Sequence, residues 1–525
     1  MDMNKYFIML LISLLATLQA YADRVESVPQ NHIIRNSAST STASAFLGTG
    51  TQSFTINLPE IQADSTSPIA GVHKTGVVYQ LPSKVTALQL PWESVSNGYV
   101  ARIQLFSDQA KRLRYHIVFR QAIPSIEFRI QGSRDASPLG PIGHSSVHKK
   151  TFWLPITNGN KADLEIFVND TKSPEELDFS IDAINVIIDG FNSGSNPGIN
   201  TKSLGLTQEQ EFDLACWAGN TDVYPALEQA ASATAQIHFI SDGGSFLCTG
   251  TLLNDKGSTK IPWLTTANHC IADQSIADTA SFEWFFQATS CRGSTTDSRY
   301  AQTFGGAQLL GTDFNLDASF LILNSSPPDD VFFIGWDTDI QVGDHVWGVH
   351  HPEGDHTMVS EGHVNALLQS IQETDTGRSH LLNEVNFVVG GAERGSSGSG
   401  LFSVTNGSAY WKGTLSGGPE NNYQLNFYSN FNSYYAYIKP WLDNANFLKN
   451  LDCLLNWAEN AYSNLFSPAG AISQFQSPYT YRYYSNTNSY VGVSSINNHV
   501  YYLSPDGVLQ DVGDLSSWLS TAFCQ

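Results

Sequence analysis

Positive charge is scarce in this chain: 27 Lys and Arg stand against 49 Asp and Glu in 525 residues, a formal net charge of −22. Such a surface repels phosphates and acidic headgroups, which argues against nucleic acid or an acidic membrane face as a partner. Long apolar runs are rare as well. After residue 22 no stretch is long and apolar enough to cross a bilayer, for which a helix needs ~20 residues. Cysteine is sparse, at six residues, and the even number predicts three disulfides in an exported chain. No internal repeat is evident.

What is present begins with an export signal. Lys5 precedes an apolar run from Tyr6 to Leu18, and Ala20-Tyr21-Ala22 supplies a small-x-small cleavage pattern, so residues 1–22 read as a signal peptide cut after Ala22. The run is too short for a membrane anchor. The expectation is therefore a secreted, extracellular, soluble protein.

The length predicts several domains, and hydrophobic content of 41% is enough to fill their cores. Residues 23–188 read as a β-sandwich unit, although only Phe54–Leu58 and Val77–Leu81 look like strands before residue 95. The pattern is clear further on, where Leu113, Tyr115, Ile117 and Phe119 alternate with polar or basic neighbours, followed by Ile126, Phe128 and Ile130, then Leu164, Ile166 and Val168. Residues 189–208, rich in Gly, Ser and Asn, form a linker and an expected processing region. Short strands separated by polar turns over 209–447 suit a pair of β-barrels. A small α+β module, 448–525, would be closed by a Cys453–Cys524 disulfide. Its tyrosine-rich strands around Tyr479, Tyr481, Tyr483 and Tyr490 read as core filling ahead of a ligand surface.

The chemistry concentrates in two strings. Thr266-Ala267-Asn268-His269-Cys270 sets a histidine beside a cysteine, and Gly395-Ser396-Ser397-Gly398-Ser399-Gly400 presents serines in a loop of small residues. Each string alone is a weak signal. Together, in the order His, Asp, Ser, they are how chymotrypsin-type proteases place base and nucleophile. Amide hydrolysis needs a nucleophile, a base that takes and returns its proton, and donors for the oxyanion. These fall to Ser397, to His269, and to the backbone N–H groups of Gly395 and Ser397. Cys270 can pair with Cys248 and tie the histidine loop to a neighbouring strand, which leaves Cys216 and Cys291 as a pair. The stretch Gly311–Leu323 offers two aspartates, Asp313 and Asp317, to orient His269.

Residues 209–446 resemble the trypsin-like serine endopeptidases, and among them the secreted bacterial lysyl endopeptidase group. The resemblance rests on Cys248–Asn254 (CTGTLLN), Leu264–Cys270 (LTTANHC), Val349–Pro352 (VHHP), Val388–Ser399 (VVGGAERGSSGS) and Leu415–Pro419 (LSGGP). In that pattern the catalytic Asp is followed by two residues and then an apolar strand. Asp317, ahead of Phe320-Leu321-Ile322-Leu323, satisfies it, with Asp313 as runner-up. The sandwich is similar to the group's N-terminal propeptide, particularly over Lys149–Ile166, which implies a precursor whose own prodomain assists folding and is removed near the linker.

Two departures bear on specificity and activation. The acid that trypsin-like enzymes place six residues before the nucleophile is here Gly391, and the acid that the resemblance implies in a later pocket strand falls on Asn426, or on Asn421 in the other register. An amide cannot balance a buried ammonium, so a strict preference for Lys is not expected. Glu393 and Glu420, near the expected rim with Ser416, Gly417 and Gly418 on the pocket wall, read chiefly as solvated surface. Ser396 stands where trypsin has the aspartate that holds a new amino terminus, so latency is expected from the covering sandwich instead.

Plainer assignments cover the rest. His350, His351, Asp355 and His356 are metal-ligating types, but Pro352 and Gly354 predict a strand ending in a turn with diverging side chains. His144 and His148 read as surface residues, and Trp263, Trp284 and Trp336 as core. The expected protein is mainly β: a β-sandwich prodomain, a double β-barrel trypsin-like domain and a small disulfide-closed α+β module. It would act on proteins or peptides as a monomer, with no metal and no organic cofactor. The competing class is an inactive protease-fold binding or adhesion protein. An esterase is a narrower rival, whose α/β-hydrolase residue order is absent.

Overall fold

Alternation of apolar and polar residues builds the sandwich from two sheets. One carries Phe54–Asn57, Gly98–Phe106, Lys161–Asn169, Ile126–Gly132 and Leu139–Gly143 in that spatial order. The other places Arg112–Phe119 beside Phe179–Ile187, with His73–Thr86 next. Leu113, Tyr115 and Ile117 are fully buried, as are Ile126, Phe128 and Ile130 and Leu164, Ile166 and Val168, so the predicted inward faces meet in one core. In this computed structural model the described residues are 23–30, 52–61, 72–121, 123, 125–143, 151–169, 173–188, 212–372, 379–419, 421–443, 453–459, 466 and parts of 471–518. The leader 1–22, the linker 189–208, His144, His148, Glu420 and Cys524 lie outside them.

The sandwich does not end at its own edge. The His73–Thr86 strand continues into the next unit by pairing antiparallel with Gly244–Leu253, in the register Gly244↔Val77, Ser245↔Gly76, Phe246↔Lys74 and Leu247↔His73. Sandwich and first barrel therefore share one sheet. Buried polar contacts stitch the same seam: Arg112 pairs with Glu283, Arg114 donates to Thr279 O at 2.9 Å, and Asn185 Nδ2 donates to Ser245 Oγ at 3.2 Å.

The first barrel is built from Thr234–Ser241, Gly244–Leu253, Trp263–Thr266, Ser281–Trp284, Ala301–Thr303, Ala307–Asp313 and Ala318–Leu323. The second runs Ser408–Gly417, Gly400–Thr405, His345–His350, Met358–Gln372, Ser379–Val389 and Leu425–Ser429, and closes where the last pairs back with the first. Helices Tyr224–Ser232 and Phe431–Leu442 flank the pair and were not anticipated among the short strands. Trp263, Trp284 and Trp336 are buried in the core common to both barrels. Disulfides Cys216–Cys291 and Cys248–Cys270 are formed.

The first described residues, 23–30, lie outside the sandwich that was expected to include them. Arg24–Val25 pairs with Asp337 and Trp336, and Val28–Pro29 with Phe333 and Phe332, strapping this segment across the second barrel's edge. At the other end, residues 453–459 are helical and a five-stranded antiparallel meander follows from Ala471 to Asp514. Leu454, Leu455, Tyr484, Val493 and Val500 fill that module's core, and Cys453 is disulfide-bonded. No helix among the described residues is long and apolar enough to cross a membrane.

Candidate active site

His269 and Asp317 meet because their strands pair. Trp263–Thr266 lies antiparallel to Ala318–Leu323 with Thr266 opposite Ser319, so the turn after the first strand and the turn before the second emerge side by side. Asp317 closes its turn in the left-handed region, at φ 46°, a conformation aspartate tolerates better than most residues. The two candidate aspartates separate here. Asp313 accepts Leu316 N at 2.9 Å and so caps the turn, whereas Asp317 points its carboxylate at the histidine.

That carboxylate holds His269 at two points. Its Oδ1 accepts the His269 backbone N–H at 3.0 Å and its Oδ2 accepts Nδ1–H at 2.7 Å, while Ser416 Oγ donates to Oδ2 at 2.6 Å. Asp317 is 2% exposed. Burial alone would raise its pKa, but His269 and Ser416 outweigh that and hold the carboxyl below the usual carboxylate range. An ionised acceptor at Nδ1 fixes the tautomer in which Nε2 carries no hydrogen and can act as base.

Ser397 is held against the histidine loop through one residue, Thr249, next to Cys248 of the Cys248–Cys270 disulfide. Thr249 N donates to Ser397 O at 2.8 Å, Thr249 Oγ1 donates to Gly395 O at 2.9 Å, and Thr249 O accepts Thr266 Oγ1 at 2.8 Å. Glycine is required at Gly398, where φ is 86° and a Cβ would lie 2.2 Å from Thr266 Oγ1. The loop amides divide in two. Ser396 N donates to Glu393 O, Gly398 N to Leu415 O and Ser399 N to Ser396 O, whereas those of Gly395 and Ser397 have no acceptor among the described residues. The Ser397 hydroxyl forms no hydrogen bond among the described residues; such contacts are often long before substrate binds.

The pocket residues gather beside this loop. Ala392 N and Asn426 Nδ2 both donate to Tyr423 O, at 2.9 and 2.8 Å, and a Cβ on Gly418 would lie 3.1 Å from Asn426 Oδ1. Asn426 is buried while Asn421 is exposed, so the register through Tyr428 is the one that sets an amide in the interior beside Gly418. Glu393 is half-buried and takes part in the loop turn through its backbone. Ser416 and Gly417 end the adjoining strand, with Ser416 turned toward Asp317.

The histidines of the VHHP string and the nearby His356 go to separate partners: His350 to Ser396 and Ser360, His351 to Asp355 O, and His356 to Thr296 Oγ1. Sequence reasoning missed Thr249 and the second role of Ser416. The hydroxyls of Thr249 and Thr251, inside the mainly apolar Phe246–Leu253 run, were the available sign.

Two family descriptions match the chain in tandem: "Lysyl endopeptidase N-terminal domain" over residues 60–187 and "Lysyl endopeptidase, C-terminal domain" over 204–436. The chain belongs to the lysyl endopeptidase family. Lysyl endopeptidase of Pseudomonas aeruginosa is 33% identical over 304 residues, covering 56% of this chain and 63% of that protein. Secreted RxLR effector protein 73 of Plasmopara viticola is 26% identical over 179 residues, covering 33% of this chain and 42% of the effector. Among solved structures, an HtrA-type protease with a tripeptide is matched at a TM-score of 0.31 and 16% identity, over 42% of this chain and 63% of that one. The active form of a protease from M. tuberculosis is matched at a TM-score of 0.30 and 12% identity, over 47% of this chain and 93% of that one. In this family member the matched N-terminal domain is the sandwich that shares a sheet with the first barrel.

Proposed function

We propose that this protein is an exported serine endopeptidase made as a precursor, in which Ser397 attacks the peptide carbonyl and His269 takes its proton. The carrying observation is the double grip of Asp317 on His269, through the backbone N–H at 3.0 Å and Nδ1 at 2.7 Å. Asp317 stabilises the imidazolium that forms as Ser397 Oγ adds to the carbonyl, and the amides of Gly395 and Ser397 take the oxyanion. His269 then returns the proton to the leaving amine. Water repeats the sequence on the acyl-enzyme and frees Ser397. No step calls for a metal or an organic cofactor.

The side chain before the cut enters the space between Gly391–Ala392 and Ser416–Gly418, with Asn426 at its base. An amide there hydrogen-bonds neutral or polar groups and offers no countercharge, so this pocket does not demand lysine as strictly as the family's name implies.

Latency comes from the prodomain, residues 23–188, chiefly through its sandwich. Its His73 pairs with Leu247, and Leu247 Cδ2 lies 3.0 Å from where a Cβ on Gly395 would stand. His73 Nδ1 also reaches Glu353 at 3.1 Å, and Glu353 N donates to Arg394 O. The strand thus ends against the oxyanion loop, where a substrate's leaving side must pass. Cleavage within 189–208 and export after Ala22 complete this reading.

Mass spectrometry of a mixed peptide library tests it, with Ser397→Ala as control. Cuts made by the wild type and absent from the control support the assignment, and their positions read the pocket directly. Cleavage by both samples overturns Ser397 as nucleophile, and cleavage by neither turns the case toward a binding protein on an inactive protease fold.

A further inference from the structure

His350 takes no part in the proton transfers above, yet it is fully buried directly beneath the loop that performs them. Its Nδ1 lies 2.9 Å from Ser396 Oγ and its Nε2 lies 3.0 Å from Ser360 Oγ. Ser360 in turn clasps Gly391, accepting Gly391 N–H at 2.9 Å and donating to Gly391 O at 3.2 Å. Ser396 Oγ also accepts Glu393 N–H at 3.3 Å. One ring therefore bridges both ends of the 391–396 segment.

The protons in this bridge can be assigned from its geometry. With the Ser360 proton on Gly391 O, Ser360 Oγ accepts at its remaining contact and His350 Nε2 carries a hydrogen. Nδ1 of a neutral ring is then bare and accepts Ser396 Oγ–H. Every member is satisfied by this single arrangement, as a buried polar network requires. Burial, reinforced by neighbouring His351, pushes His350 down to about 3, which keeps the ring neutral wherever the enzyme works.

We propose that His350 is a positioning residue that holds the oxyanion loop in its working shape, through Ser396 at the nucleophile end and Ser360 at the pocket end. The proposal rests on Ser397 being the nucleophile. Ser396 lies between the two amides assigned to the oxyanion, so fixing its side chain fixes the direction of both. The bridge is uncharged and made only of residues 350, 360, 391, 393 and 396, all of the second barrel. It needs no ion pair with a newly released amino terminus, and the loop is formed in the uncleaved chain.

The test is steady-state kinetics of the processed enzyme on a peptide amide that the wild type cuts, with Ser396→Ala, Ser360→Ala, His350→Ala and His350→Gln. Releasing a loop that aims one oxyanion donor is expected to lower kcat by ~10²-fold or more. KM is expected to stay within about threefold, because the oxyanion hydrogen bond forms only in the transition state. A peptide aldehyde, whose adduct places an oxyanion on the same amides, should weaken in step with kcat, while a product peptide should not. Glutamine, with one acceptor and one donor, should restore much of what alanine loses. The His350→Ala, Ser396→Ala double variant should fall no further than the worse single one, since both remove the same bridge. Merely structural support would instead raise KM or lower thermal stability without splitting aldehyde from product. Unchanged kcat, a rise confined to KM, or losses that multiply in the double variant overturn the proposal. If His350→Ala does not fold, Ser396→Ala and Ser360→Ala, each lacking one oxygen, carry the same test. Turnover by a Ser397→Ala control overturns the reading beneath the bridge, whereas an inert control beside a fully active His350→Ala overturns the bridge alone.

Discussion

Replacing Asp317 with asparagine keeps the size of the side chain and reverses one of its hydrogen-bonding ends. The aspartate accepts three hydrogen bonds, from His269 N, His269 Nδ1 and Ser416 Oγ. An asparagine must set its NH2 group against one of the first two. Placed at Oδ1 it faces a backbone donor and the contact breaks. Placed at Oδ2 it forces Nδ1 to accept, which moves the imidazole hydrogen to Nε2 and removes the base. Wrong-tautomer variants of this kind lose ~10⁴-fold in kcat, about 5.4 kcal/mol of barrier. Asp317→Asn should therefore show a loss of this order on a peptide amide, with near-normal KM and an unchanged far-ultraviolet spectrum. Asp313→Asn, which alters only the cap on Leu316 N, should stay within about threefold of wild type, surface and turn changes being small. The pH dependence follows from the same contacts. Because the Asp317 carboxyl is held below its ordinary value, its contribution is complete above the unfolded carboxylate range near 4 and is lost only as the solution becomes more acidic than that. If Asp317→Asn kept more than about a tenth of wild-type kcat while Asp313→Asn lost most of it, the assignment would be reversed.

Arg112→Met in the inert Ser397→Ala background removes the partner of buried Glu283 that the sandwich supplies and should weaken docking of the sandwich by about 3 to 5 kcal/mol. Size-exclusion chromatography after nicking the linker reads this: fragments that co-elute in the parent should separate. Burial alone would raise the Glu283 carboxyl, but Arg112 and His238 hold it well below the usual range, so the parent complex should persist at mildly acidic pH. Gly398→Ala places a Cβ 2.2 Å from Thr266 Oγ1 at a left-handed position, and should cost on the order of 1–3 kcal/mol in thermal unfolding together with nearly all turnover. Asn426→Asp should raise kcat/KM for lysine before the cut by roughly tenfold or more over an uncharged residue, as a hydrogen bond to a charged group contributes about 1.5–3 kcal/mol, and paired fluorogenic peptides measure it.

The site was legible where local chemistry marks it. The residues alone offered both aspartates and the family resemblance chose Asp317; the pairing of its strand beside the one ending at Thr266, which brings its carboxylate to His269, came only with the fold. The sandwich strands were plain, since Leu113, Tyr115 and Ile117 keep strict period 2. Their continuation into the protease was not. His73–Thr86 carries Gly76 and Pro82 and no clean alternation, and its partner Gly244–Leu253 is buried along its whole length, a pattern that says nothing about which neighbour covers it. The Arg24–Val25 and Val28–Pro29 strap is shorter than any periodicity window. His350 was invisible for a different reason: a buried histidine bridging two serines has no spacing rule, and its meaning comes only from the fold that brings residues 350, 360 and 396 together.

The sheet shared between sandwich and barrel has a consequence once the two part. Under the proposed processing, departure of the sandwich would bare two matched strand edges, Gly244–Leu247 on the enzyme and His73–Val77 on the released fragment, each with unpaired backbone donors and acceptors. Edges already shaped for each other recombine readily, so intact released prodomain would act as a reversible, concentration-dependent brake. Activity in a concentrated preparation should then lag until the fragment is degraded, and dilution alone should awaken part of it.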